Sequence, residues 1–206
     1  PWPRTPPMFP LPTMRLLFAC LIALGLLLTG CDKPPAFKST DISGVDWGKN
    51  FALTDHTGKA RTLADYRGKV VILFFGYTQC PDVCPTTLMT MNETLKLLGD
   101  DAARVQVLFA SLDPARDTQE LLAQYVPQFN PSFVGLRGDE ATTAAMAKEF
   151  RAFYTKVPGA TPATYTIDHS TGSYAFDPQG RLRLLLKHGD APANLAGDIK
   201  QLLAGK

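Results

Sequence analysis

The sequence predicts an α/β domain, a central mixed sheet flanked by helices, and three observations carry that prediction. Apolar runs of strand length alternate with segments of helical periodicity from about residue 50 onward. The longest such segment, Lys69 to Phe75, is continuously apolar after its lysine, as befits a strand covered on both faces. Two cysteines, Cys80 and Cys84, follow it directly in the stretch FFGYTQCPDVCPTTL.

Each element has its own warrant. Phe51 to Leu53 opens as a short strand, and His56-Thr57-Gly58 turns the chain. Lys69 to Phe75 is the central strand. Thr86 to Leu98 reads as a helix because Leu88, Met91, Leu95 and Leu98 recur at helical spacing. Val105 to Leu112 is a second strand, and a helix is expected from Asp117, with Glu120 three residues on as in a capping box. Phe133 to Leu136 is a short strand and Glu140 to Phe150 a helix. Thr164 to Ile167 reads as a strand. Ser173 to Phe176 and Arg181 to Leu186 form a hairpin around Asp177-Pro178-Gln179-Gly180. Ala193 to Leu203 closes the chain as a helix. Phe74, Phe75 and Phe109 belong to the core. This order, with a cysteine pair after the first long central strand, is that of a thioredoxin-like fold.

The start of the chain reads differently. Met14-Arg15 followed by LLFACLIALGLLLTGC has the positive start, short apolar core and small-residue end of a secretory signal, over residues 14–31. Leu16 to Leu28 falls short of the ~20 apolar residues that cross a bilayer. Leu28-Thr29-Gly30-Cys31 resembles a bacterial lipobox, which implies acylation at Cys31 and attachment through a lipid anchor. Residues 1–13 have no place in such a signal and read as a start-site misassignment. Residues 32–48, rich in Pro, Lys, Ser and Asp, read as a tether, and 49–206 as the domain. The localisation expected is exported, at the periplasmic face of a bacterial inner membrane, the membrane suggested by Asp32 after Cys31. Cys20 falls within the signal and Cys31 in the lipobox, so the domain keeps only Cys80 and Cys84 and is no disulfide scaffold. A formal net charge of +2 without a dense Lys/Arg block gives no nucleic-acid footprint.

Each domain cysteine precedes a proline, which predicts a tight turn from Cys80 to Val83 and a helix proper from near Pro85. Cys84 then lies close to the N-cap, where the helix end favours a thiolate. Helical geometry puts the two Cα atoms about 6 Å apart, inside the range of a disulfide. The pair therefore suits a reversible redox couple, a clamp for a soft ion or a structural disulfide. A further metal ligand would come from His56, His169 or His188, and His169 ends a strand that could run beside the cysteine loop.

Together, GYTQCPDVCPTTL, SLDPARDT and YTIDHSTGSYAFDPQGRLRLLLKHG resemble, in order and separation, the Sco/SenC family of copper proteins that help assemble cytochrome c oxidase. The likeness runs from about Phe51 to Leu203. It implies copper, as Cu(I) or Cu(II), held by Cys80, Cys84 and His169. It also implies a role for Asp113 of the DPARDT stretch, either just behind the sulfurs or in docking a partner, with Asp117 the better candidate for a plain helix cap. Tyr77, Asp82 and Arg116 are weaker candidates beside it. The implied function is a metallochaperone for the oxidase's binuclear copper centre. The alternative is a thiol–disulfide reductase acting on the copper-ligand cysteines of that oxidase subunit, with Cys80 and Cys84 as its catalytic redox pair. Implied partners are that subunit, a copper donor, a thiol reductant and the membrane through the lipid anchor. Thioredoxins have two residues between their cysteines and a cis-proline opposite; three residues separate this pair and no proline directly precedes His169, which favours metal handling over general disulfide exchange.

Overall fold

Strand β4, Val70–Gly76, runs through the centre of the domain with every residue buried. Its side chains alternate with the strand period: Val70, Ile72 and Phe74 enter one core cluster, and Val71, Leu73 and Phe75 enter the other. A sheet with cores on both faces needs a central strand that is apolar throughout, which is why the continuous run predicted it.

The computed structural model describes residues 2–4, 36–161 and 164–206. Residues Pro35–Lys206 form one of two compact units, and of the other, Pro1–Pro34, only residues 2–4 are described. The expectations placed on residues 5–35, including the signal, Cys20, Cys31 and Asp32, lie outside the described residues. Among the described residues no helix is long and apolar enough to cross a membrane.

In chain order the strands are β1 Thr40–Asp41, β2 Ala52–Asp55, β3 Ala60–Thr62, β4, β5 Val105–Ser111, β6 Val134–Arg137, β7 Tyr154–Val157, β8 Thr166–His169, β9 Ser173–Phe176 and β10 Leu182–Leu186. The α-helices are α1 Val83–Leu98, α2 Gln119–Tyr125, α3 Glu140–Glu149 and α4 Pro192–Leu203. The main sheet has the order β1-β10-β9-β4-β5-β6-β2-β3. Its centre, β4-β5-β6, is parallel and its flanks are antiparallel, so the sheet is mixed as expected. Helices α1 and α4 cover one face through Leu88, Leu95, Leu195 and Ile199. Met146 and Ala147 of α3 join Phe150 in the core of the other face.

Strands β7 and β8 form a separate two-stranded sheet. The expected strand at Thr164 to Ile167 is displaced by two residues, and its partner β7 gave no pattern, since Thr155, Lys156 and Val157 are exposed and only Tyr154 is half-buried. The tether expected through residue 48 also needs correction. Thr40 and Asp41 pair with Leu185 and Leu184 at the sheet edge, and the Lys38 and Ser39 amides donate to the buried Asp198 carboxylate at 2.9 and 2.8 Å. An edge strand bound through backbone and one carboxylate needs no apolar periodicity, so composition concealed it.

Candidate metal centre

The cysteine loop leaves the end of β4 and enters α1. Pro85 is the third residue of α1, where its missing N–H is one that no intrahelical bond would use, so the helix begins two residues before the expected start. Cys84 consequently lies inside the first turn, with no exposed surface, against Phe74 and Leu88 in the core. Gly76 makes room for it: a methyl group there would lie 2.8 Å from Cys84 Sγ and 2.8 Å from the Phe109 ring. Burial pushes the Cys84 thiol well above its ordinary value, opposed by the Tyr77 backbone amide. The thiolate expected at the helix end is therefore corrected: withdrawal from water outweighs the helix field at a fully buried sulfur. Cys80 is half-exposed on the loop, and both cysteines are free thiols. The Cys84 amide donates to Cys80 Sγ at 3.5 Å, directing the more accessible sulfur toward the same point.

His169 arrives from the small sheet. Its Nε2 lies 3.6 Å from Cys84 Sγ, and its Nδ1 lies 2.8 Å from the Ser170 carbonyl. A carbonyl only accepts, so Nδ1 carries the proton and Nε2 presents its lone pair to the sulfurs. Burial lowers the His169 pKa, which keeps the ring neutral and ready to ligate, while the Ser170 carbonyl acts in the opposite sense. The rings of Tyr77 and Phe74 meet the imidazole edge-on, with centroids 6.0 and 6.3 Å away. The ligand atoms of Cys80, Cys84 and His169 all lie within 4.8 Å of one another, and among the described residues they make the single such cluster. They border an open cleft of ≈ 400 Å³ between the cysteine loop and β8.

The other histidines are structural. His56 Nδ1 accepts from the Gly135 amide at 2.9 Å, and His188 Nδ1 lies 3.1 Å from the Thr87 hydroxyl. Asp113 is fully buried and forms an ion pair with Arg116. It also accepts from the Tyr165 hydroxyl at 2.6 Å. Burial and that hydrogen bond push Tyr165 up to about 12, so it stays a donor. The Arg116 guanidinium donates to the Gln79 side chain at 3.0 Å and to the Tyr165 carbonyl at 2.8 Å, with its carbon 3.6 Å from the Tyr165 ring centroid. One cation thus joins the residue before Cys80 to the residue before β8. Asp113 acts through Arg116 and Tyr165, and the structure gives it no contact with either sulfur. Asp117 caps nothing: Thr118 holds the N-cap of α2, and Asp117 is buried, accepting from the Thr78 and Ser111 hydroxyls at 2.6 Å each.

Gly76, Tyr165, Gln79 and the Ser170 carbonyl escaped the sequence reading. Only Gly76, a glycine closing an apolar strand before the cysteine loop, carried a usable signal.

Residues 39–204 match the SCO1/SenC family model. The mitochondrial SCO2 homologue of Bos taurus is 38% identical over 133 residues, which are 64% of this chain and 50% of that protein, so the chain spans about half the length of that relative. An SCO2-like protein of Rickettsia felis is 34% identical over 145 residues, covering 70% of this chain and 69% of its own. The structure of Bradyrhizobium japonicum ScoI with copper bound is 40% identical and superposes with a TM-score of 0.69, covering 74% of this chain and 97% of that one. With the family match spanning the whole sheet and the Cys80, Cys84 and His169 cluster inside it, the chain belongs to the SCO1/SenC family.

Proposed function

We propose that this chain handles copper for the assembly of cytochrome c oxidase, holding one ion between Cys80, Cys84 and His169 and passing it to the oxidase subunit that houses the binuclear copper centre. The convergence of two sulfurs and one imidazole nitrogen within 4.8 Å, with no carboxylate among them, carries the reading. A structural zinc site closes with four ligands, whereas two soft sulfurs suit Cu(I) and an added imidazole suits Cu(II) as well. The copper-bound ScoI relative supports the choice of metal. Copper is cargo here: Cu(I) leaves without changing oxidation state, its bonds to Cys80 and Cys84 breaking as bonds to the partner's ligands form. Because burial holds the proton on Cys84, loading must release it, and uptake weakens as pH falls. A disulfide between the cysteines would remove both sulfur ligands, so the reading includes a thiol reductant beside the copper donor. The signal-like and lipobox-like stretch supports export and anchoring through Cys31 at the periplasmic face.

Anaerobic copper titration of the reduced chain, alongside His169→Ala, tests the proposal. One tightly held copper is expected, with a sulfur-to-Cu(II) charge-transfer band that the variant loses. Failure to retain copper against a modest chelator overturns it.

A second reading, reduction of a partner's disulfide, draws on the unequal burial of the cysteines. Cys80 is half-exposed and Cys84 is not exposed at all. Cys80 would attack a partner disulfide, releasing one partner thiolate and forming a mixed disulfide. Cys84 would then displace the second thiolate, leaving a Cys80–Cys84 disulfide and two electrons on the partner. Disulfide reduction that survives His169→Ala while Cu(II) binding is lost separates the two activities.

A further inference from the structure

One buried hydroxyl beside the sulfurs has no partner. Tyr125 closes α2, three residues after Leu122 and one before Val126, and those two side chains anchor the helix end in the same core cluster as Cys84. Its ring packs on Phe109 and Phe129, with centroids 5.9 and 5.1 Å away, and the Phe109 edge shares the space above Gly76 with Cys84 Sγ. Cys80 packs against that cluster too. This packing accounts for the aromatic body of Tyr125, and a phenylalanine would serve it as well. The hydroxyl is another matter: it is shut off from solvent and makes no hydrogen bond within the described residues. A buried donor without an acceptor costs stability, so its presence calls for a reason other than packing.

The acceptors near it narrow to two. Burial keeps the proton on the Tyr125 hydroxyl, and the charges that bear on it next are those of Cys84, then Cys80, then Asp117. The Asp117 carboxylate is already held by the Thr78 and Ser111 hydroxyls. The sulfurs remain. A neutral thiol accepts weakly, which fits a hydroxyl left unbonded while both cysteines are free thiols; a thiolate accepts strongly. Cys84 has no exposed surface, so once its proton leaves to solvent and a copper–sulfur bond forms, only protein donors can screen the charge on that sulfur.

We infer that Tyr125 is a positioning residue of the copper site, an O–H held in reserve that donates to the Cys84 sulfur when that sulfur becomes a thiolate ligand. The inference rests on the copper reading above. It adds a donor from α2 to a centre whose other parts come from the cysteine loop and β8. The same hydroxyl then destabilises the chain without copper and stabilises it with copper.

Tyr125→Phe in the reduced full chain separates this role from packing, because it deletes the hydroxyl and keeps the ring. Without copper, the urea midpoint of the variant should hold or rise. Cu(I) should be held about tenfold more weakly in competition with a chelator, the size of one charge-assisted hydrogen bond. The sulfur-to-Cu(II) absorption should move to longer wavelength, since a sulfur without that bond gives up its electrons more readily. In the wild-type chain, Cu(I) loading should shift the tyrosine C–O stretch in infrared difference spectra, and the variant should lack that shift. Phe129→Leu is the packing control: it should lower the urea midpoint and leave the Cu(I) affinity and the infrared shift in place. Equal Cu(I) affinity in Tyr125→Phe and wild type, or joint loss of stability and affinity with no tyrosine infrared change, overturns the inference. A wild-type chain that retains no copper overturns the copper reading and this role with it, whereas wild-type binding that Tyr125→Phe leaves unchanged removes Tyr125 alone.

Discussion

The two halves of the candidate metal centre are built by different means. The sulfurs stand on the end of β4 and the first turn of α1, and Cys84 is one more side chain of the main core. The imidazole stands on a two-stranded sheet outside the main one, whose β7 strand is largely exposed. There the ties to the rest are a buried ion pair, a tyrosine hydroxyl, a guanidinium bridge and two aromatic edges. Apolar packing holds the first half, whereas the second rests on Ile167 and Tyr154 together with directional polar contacts. The lesson is that damage to the core should cost stability, whereas damage to the polar bridge should cost geometry. One sulfur is set by the fold, and the nitrogen is set by a strut.

The severest way to break this contrast is Phe109→Ala. Phe109 is fully buried and packs on Phe74 beside Cys84, so its removal should cost ~3–5 kcal/mol in urea unfolding. Gly76→Ala comes next, since its methyl would press on Cys84 Sγ, Phe109 and Phe74, within 3.1 Å in each case. Overpacking of this kind costs ~1–3 kcal/mol, and copper titration of the folded fraction should show a weakened site. Tyr165→Phe should sharpen the contrast from the other side. It removes one hydrogen bond to Asp113, worth ~1 kcal/mol, yet if His169 ligates Cu(II) as proposed, competition with a chelator should show a larger loss for Cu(II) than for Cu(I). Equal losses for both oxidation states would mean that the strut does not position the imidazole.

The smallest effect expected is with pH. Burial lowers the His169 pKa below its ordinary 6.5, so as pH falls through that value the unfolded chain takes up a proton that the folded chain does not. Stability of the metal-free chain should therefore decline below about pH 6.5 until the folded pKa is reached, with His169→Gln removing that contribution. A slope unchanged in the variant would place the ring in water.

The same contrast explains what could be read in advance. Strands β4 and β5 and helices α1 and α4 were legible because burial imposes period on sequence. Strands β1, β3 and β7 were not, since short polar strands are held by backbone bonds indifferent to side-chain pattern. The cysteine pair was legible as chemistry, but its electrostatics were misjudged. A helix N-terminus argues for a thiolate, and only the depth of Cys84 in the core reverses the sign. His169 is set apart from His56 and His188 by its place at the end of a strand that could run beside the cysteine loop, and the family resemblance makes that choice firm.

The sequence by itself determined the class of fold, the paired sulfurs and the order in which ligands occur, since these follow from periodicity and residue type. Tertiary structure decided how His169 reaches the sulfurs, which proton it carries and how the Arg116 bridge holds it there. His169 lies 85 residues beyond Cys84, and contact across that span is set by how sheet and hairpin pack, which no local pattern encodes.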